Sequence, residues 1–348
     1  MDTRDTPEQA ELRRTARHLA RELGPGTVAD LDDATRRKRL AAAVRDAGWL
    51  ELRDDAGSGA PLASGVEAAI VADALGGAVA DVAFSGPVLA ADLARRAGIR
   101  DSGRVVACAA SLSAAAIVED GVTAAPVYAV DGGDDLEAAY VWVREGANYH
   151  LALVPVETTP NASAGSDLTR TVRAIPAGTT VREIAEQQRP ITDDDLAAWT
   201  ALGLALTSAD LVGAMRGVID VTVAYAAERR QYGVPVGSFQ AVQHLLAEAH
   251  CLIEGSLSVA LHASWAVDNL SPTEARSAGR VAKAYGARAA RTVCETAIQV
   301  HGGIGNTWEC IAHVYLRRAL LSSQWFGDDG AQLAALDRER LGVADGLS

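Results

Sequence analysis

From Thr192 to about Gly327 the apolar residues keep a helical period over many turns. Leu211, Met215, Val218, Thr222 and Tyr225 step by four and three, which marks the buried stripe of one long helix. Thr192 and Asp193 can cap its start, and Gly233-Val234-Pro235 stops it. A second helix carries Phe239, Val242, Leu246, Ala249 and Ile253 at the same spacing. A third opens on Ser271-Pro272-Thr273-Glu274, a capping box with proline in the first turn, and runs to about His301. A fourth is expected from near Asn306 to just before Gly327. Long helices joined by short loops leave an up-and-down bundle as the economical packing of residues 191–348.

Upstream, residues 1–102 also read as helices. Thr6 followed by Pro7 opens the first, with Leu12, Ala16, Leu19 and Leu23 on one face, and Gly24-Pro25-Gly26 ends it. A second is expected from about Asp33 to Ala47, a third from about Ser64 to Leu75, and a fourth after Pro87. Between residues 103 and 190 the texture changes to short valine-rich and aromatic runs: Arg104 to Ala109, Ala124 to Val130, Ala138 to Val143 and Tyr149 to Val156. Gly132-Gly133-Asp134-Asp135 and Glu145-Gly146-Ala147-Asn148 separate the last three, so short strands with hairpin-like connections are expected. Thr158 to Asp167 reads as loop, and Thr169 to Ile184 as one or two further strands. The fold class is therefore mainly α with a small central β domain: an N-terminal helical domain at 1–102, a β domain at 103–190 and a C-terminal four-helix bundle at 191–348. Alanine dominates the 49% hydrophobic fraction and aromatics are only 5%, a composition suited to closely packed helices.

The formal net charge of −13 argues against a nucleic-acid surface. Cys108, Cys251, Cys294 and Cys310 form no C-x-x-C pair, so no metal site is expected, and free thiols suit a reducing cytosol. With the polar start Met1-Asp2-Thr3-Arg4-Asp5, neither a signal peptide nor a membrane span is expected.

Two stretches stand out at helix boundaries. One is Glu228-Arg229-Arg230-Gln231-Tyr232-Gly233, followed by Ser238-Phe239-Gln240; the other is Gln299-Val300-His301-Gly302-Gly303-Ile304-Gly305. Arg229 alone could be a cation pairing with a helix C-terminus. The glycine turn alone could be a helix-to-helix connection needing positive φ, or a backbone open enough for a phosphate to approach.

In combination and order, Arg-x-Gln-Tyr-Gly at 229–233, Phe239-Gln240, Val242-Gln243, Gln299-x-x-Gly-Gly-x-Gly at 299–305 and Tyr315-Leu316-Arg317-Arg318-Ala319 resemble the acyl-CoA dehydrogenase family. The resemblance implies an FAD enzyme in which a carboxylate removes the α-proton of an acyl-CoA thioester and a hydride leaves the β-carbon for the flavin. It also implies that Arg229, Gln231, Tyr232, Gln240, Gln299, Gly302, Gly303 and Gly305 bind FAD across a subunit interface.

The chain departs from that pattern at the base. Counting forward from Arg317-Arg318-Ala319, the usual glutamate position is Phe326; counting back from Arg229, the other position used by relatives is about Gly203. Neither can accept a proton. The Glu-Pro-x-x-Gly-Ser-Asp and Trp-Ile-Thr segments of the family's β domain are missing, with Gly165-Ser166-Asp167 only a fragment. The pattern resembles the base-lacking subunit of actinobacterial heterotetrameric steroid side-chain acyl-CoA dehydrogenases. That resemblance implies a related partner subunit that carries the base and holds most of the acyl-CoA. The alternatives are an active homo-oligomer with a relocated carboxylate at Asp328, Asp329 or Glu309, or a binding scaffold without turnover. Among the histidines, His244 and His250 are six apart and do not share a helix face. His301 suits a helix C-terminus, and His313 with Glu309 suggests an i,i+4 surface pair. No G-x-S-x-G motif supports a hydrolase.

Overall fold

The computed structural model describes residues 4–100, 103–118, 121–146, 148–157, 166–184 and 188–342. Helix α1, Pro7–Leu23, starts on the expected cap: the Thr6 side chain accepts from Gln9 N, and the Gln9 side chain returns to Thr6 N. Helix α2 is Ala34–Asp46, capped by Asp33, and α3 is Gly65–Gly77, capped by Ser64 with Glu67 closing the box. Helix α4, Ser85–Ala97, begins after Phe84, which has no capping oxygen. Its cap comes from far along the chain: Asp131 accepts from Phe84 N at 3.2 Å and Gly86 N at 3.0 Å. These helices are tied together by Asp92, which is fully buried and faces Arg53, Arg95 and Arg96. Burial opposes the Asp92 charge, but the guanidinium groups of Arg96, Arg53 and Arg95 outweigh it and hold its pKa down to about 2.

Seven short strands follow. β1 (Ala107–Cys108), β3 (Val127–Val130) and β6 (Val172–Ile175) form one antiparallel sheet. β2 (Ile117–Val118), β4 (Ala138–Glu145), β5 (Asn148–Pro155) and β7 (Arg182–Glu183) form the other. The β4–β5 hairpin was legible in advance, but the remaining connections are not a run of hairpins: β3 and β4 lie in different sheets, and β2 pairs with β4 in parallel. The reason is that β4 is buried on both faces. Ala139 and Val141 enter the core between the sheets, while Tyr140 and Trp142, on the alternate face, enter the core shared with the helices. Most of the 158–167 loop expectation, including Gly165, lies outside the described residues.

The C-terminal helices are α5 (Asp193–Glu228), α6 (Gln240–Asn269), α7 (Pro272–His301) and α8 (Ala312–Gln324), with a two-stranded ribbon of β8 (Arg230–Gln231) and β9 (Val234–Pro235) between α5 and α6. α5 is the axis, packed against α3, α4, α6, α7 and α8. It is long and apolar enough to cross a membrane by those criteria, yet 89% of its apolar window is buried inside the protein. Two details differ from the sequence reading. The fourth helix starts at Ala312 rather than near Asn306, because Gly302–Asn306 forms a 3-10 turn closed by Thr307 N donating to Ile304 O. A fifth helix, α9 (Asp329–Leu341), follows the bundle.

Candidate functional site

The two motif stretches come to the same end of the bundle. α6 and α7 pack against each other and are joined by a short turn, so the start of α6 lies beside the end of α7. The end of α5 reaches the same place. The Tyr225 ring stacks on His301 at 4.4 Å, and the Tyr225 hydroxyl donates to His301 O at 3.3 Å. His301 Nδ1 lies 2.9 Å from Ala297 O, so this histidine finishes α7 as expected. Arg229 is the last residue associated with α5 and is exposed. Gln231 lies in the β8–β9 ribbon, and Tyr232 at its tip is 95% exposed with φ +52°, its ring edge-on to Phe239 at 6.4 Å. Gln240, Gln299, Gly302 and Gly303 are all exposed, while Gly305 is buried.

The local chemistry of this end suits an anion. Among the described helices, α1, α2, α3, α5, α7 and α9 each have a side-chain cap on their first N–H groups. α6 does not: its N-cap is Phe239, which has no oxygen to offer. α8, with Ile311 at its N-cap, shares this lack; at α6 Val242 N donates to Phe239 O at 3.0 Å, which leaves the N–H groups of Gln240 and Ala241 without a capping side chain. Gly302 needs its glycine for φ +69°. Gly303 does not: its φ is ordinary and a β-carbon there would meet nothing within 4 Å, so no contact among the described residues calls for a glycine at that position.

The two positions where a base was sought lie elsewhere, deep between the strands and the bundle, and they touch. Phe326 is buried against Trp199, with ring centroids 5.2 Å apart, and against Trp325 at 5.8 Å. A β-carbon built on Gly203 would stand 2.2 Å from Phe326 Cζ. The aromatic packing continues from Trp199 to Trp142 at 5.6 Å and from Trp142 to Tyr149 at 5.5 Å, linking α5 to the β sheet. Phe326 has φ +67°, unusual for a bulky residue, and is pinned there: its N–H donates to Leu112 O at 2.8 Å and its carbonyl accepts from Gln332 Nε2.

Beside this aromatic packing lies a buried ionic cluster that sequence reading missed. Arg318, from the Arg317-Arg318-Ala319 stretch, is buried here. It donates to Asp210 Oδ1 through Nε at 3.0 Å and Nη2 at 2.8 Å, and to Ala80 O and Thr169 Oγ1. Arg170 Nη2 reaches the same Asp210 oxygen at 2.7 Å, and Ser322 Oγ donates to Asp210 Oδ2 at 2.6 Å. Burial opposes ionisation of Asp210, yet Arg170 and Arg318 leave its pKa below the ordinary carboxylate value. Lys283 is buried alongside, donating to Ser322 O and Trp325 O, and burial pushes its amine down to about 7. The available signal was Asp210 itself, a carboxylate in the middle of an otherwise apolar helical stripe.

The relocated carboxylates have other roles. Asp328 is the N-cap of α9, accepting from Ala331 N at 2.8 Å, and Asp329 is the first residue of that helix. Glu309 is exposed in the turn before α8. His313 forms no surface pair with it. The imidazole is buried edge-on to Trp308 at 5.1 Å, and burial with Arg317 nearby lowers its pKa. Among the described residues no group of three or more His, Cys, Asp or Glu could hold a metal ion.

Residues 201–341 match the family described as acyl-CoA dehydrogenase, C-terminal domain. The chain is 40% identical over 149 residues to the acyl-CoA dehydrogenase FadE34 of Mycobacterium tuberculosis, covering 41% of this chain and 21% of that protein. It is 35% identical over 147 residues to the acyl-CoA dehydrogenase IpdE2 of Mycolicibacterium smegmatis, covering 42% and 44%. The matches thus span less than half the length of these relatives. Over the whole molecule it is similar to the ChsE4-ChsE5 complex of Mycobacterium tuberculosis, with TM-score 0.76, 22% identity and coverage of 99% and 100%. It is also similar to butyryl-CoA dehydrogenase from Megasphaera elsdenii, with TM-score 0.74, 15% identity and coverage of 98% and 100%. A third similar structure is the Tcur3481-Tcur3483 steroid ACAD variant, with TM-score 0.74, 20% identity and coverage of 97% and 99%. At these identities the structural likeness establishes the fold.

Proposed function

We propose that this chain, whose residues 201–341 match the acyl-CoA dehydrogenase C-terminal domain and whose fold is similar to structures of that kind, is the base-lacking subunit of a heteromeric, FAD-dependent acyl-CoA dehydrogenase. The reaction would be α,β-dehydrogenation of an acyl-CoA thioester, with a related subunit supplying the base and holding most of the substrate. The observation that carries this reading is the contact between Phe326 and Gly203. Both positions are non-acidic, and the Phe326 ring fills the space that a side chain at 203 would need. A steroid side-chain ester is the proposed substrate class, supported by the steroid ACAD among the similar structures. The four free thiols fit a cytosolic protein.

This chain's part is to hold the cofactor. FAD, when bound, supplies the hydride acceptor. Arg229 presents a permanently charged guanidinium suited to a pyrophosphate. The open start of α6 at Gln240 and the bare backbone at Gly302 and Gly303 offer N–H groups to the same anion. Gln231 and Gln299 add amide donors and acceptors, Tyr232 offers an exposed ring, and Gly305 keeps the turn against Ile298. Phe326 and Trp199 keep water and thioester out of the space beside Gly203.

The test is to purify the chain alone and together with a related, glutamate-bearing subunit, and to measure bound FAD and acyl-CoA-dependent flavin reduction. The reading expects both only in the complex. One FAD per chain, with reduction by this chain alone, would overturn it.

A further inference from the structure

A cavity of about 870 Å³ lies away from the proposed cofactor end, and its deep end reaches Arg170 of the ionic cluster beside Phe326. It opens between α2, the start of α4, and the loops that follow β3 and precede β6. Junctions of this kind between packed layers are common places for small-molecule sites, and the volume is within their usual range.

The walls and the deep end differ in character. Ala41, Val44, Val82 and Pro87 make an apolar lining. Asp167 and Arg170, both almost fully buried, also line the cavity, and each keeps one polar atom without a hydrogen bond. Asp167 Oδ1 accepts from Thr169 N and Thr169 Oγ1, while its Oδ2 has no donor. Arg170 uses both terminal nitrogens, on Asp210 and Ser322, but its Nε has no acceptor and lies 3.7 Å from Asp131 Oδ1. A buried acceptor and a buried donor thus lack partners beside one cavity, where burial makes an unmet hydrogen bond costly. The rest of the lining carries both signs with carboxylates in excess, Glu51, Asp54, Asp81 and Glu137 among them, so an anion gains nothing there.

We infer that this cavity is a binding site for a neutral, apolar alcohol. A hydroxyl group both donates and accepts, so it is the single group whose chemistry matches both Asp167 and Arg170. A carboxylate would answer only Arg170 and an ammonium only Asp167, leaving the other buried group unmatched. A rigid hydrocarbon body fills the apolar walls without the entropy loss of a flexible chain.

The inference does not depend on the cofactor reading, and its test needs no flavin. The full chain is titrated with 1-adamantanol, 1-adamantanecarboxylate and 1-adamantylamine, followed by saturation-transfer NMR, with circular dichroism to confirm that each variant is folded. The expected result is saturable binding of the alcohol, at least tenfold tighter than either charged analogue. Ala41→Trp, on a partly exposed wall, should abolish it, and Asp167→Ala should weaken it about tenfold. Equal binding of all three compounds, no saturable binding of the alcohol to the folded chain, or full binding by folded Ala41→Trp would overturn it. If Asp167→Ala does not fold, the wall variant and the three-compound comparison still decide.

Discussion

The Phe326 ring lies against the bare α-carbon of Gly203, close enough that a β-carbon there would stand 2.2 Å from Phe326 Cζ. The two positions are therefore coupled. Adding a side chain at 203 forces the ring out of its contacts with Trp199 and Trp325. Gly203→Ala should destabilise the chain by about 1–3 kcal/mol through overpacking. In the Phe326→Ala background, which by itself costs about 3–5 kcal/mol, the same change should cost much less. Urea unfolding of the two single variants and the double variant measures the coupling; strict additivity would mean that the two side chains do not compete for one space.

Asp210 is held by Arg318, Arg170 and Ser322 inside the protein, where a charge left without its partner is costly. Asp210→Asn leaves two buried guanidinium groups facing a neutral amide and should cost about 3–5 kcal/mol. Arg318→Met should cost as much. The double variant should cost less than the sum, because Arg170 alone is then left facing the neutral amide. Thermal and denaturant unfolding give the comparison.

Acid should loosen the N-terminal helices as Asp92 is protonated. The Asp92 pKa is held down to about 2 from an ordinary 3.8, so the unfolded chain binds a proton more readily than the folded one across that interval. The stabilisation is complete above 3.8 and drains away as pH falls towards 2. Asp92→Asn should be less stable at neutral pH and should flatten the fall between pH 3.8 and 2, measured as urea midpoints in a pH series.

Arg229 and Gly303 are exposed and make no contact that the fold needs. Arg229→Ala and Gly303→Val should change unfolding free energy by less than about 0.5 kcal/mol. Both should lower FAD occupancy of the complex at least tenfold, read from flavin absorbance per protein after gel filtration. A loss of stability without a loss of flavin would assign these residues to folding instead.

How much of this was written in the chain depends on how local the cause is. The caps at Thr6, Ser64, Thr192 and Ser271 act within three residues, and each was legible or opens a helix placed within a residue or two. The motif stretches were legible because their residue order is distinctive. The cap on α4 was not, because it is Asp131, supplied from beyond β3. α9 was missed because Asp328 was weighed as a base rather than as an N-cap. Phe326 was recognised as unable to act as a base, but its contact with Gly203 joins distant parts of the chain, and no periodicity announces it. Arg318 looked like part of a motif, whereas its partner Asp210 sits one hundred and eight positions away.

The most direct measurement is flavin content and turnover of the purified chain, alone and in complex with a related, glutamate-bearing subunit. The account predicts no retained FAD and no acyl-CoA-dependent flavin reduction from the chain alone. It predicts both in the complex, with the flavin lost on Arg229→Ala in this subunit and activity lost when the partner's glutamate is replaced by glutamine. One FAD per chain, reduced by acyl-CoA without any partner, would contradict it.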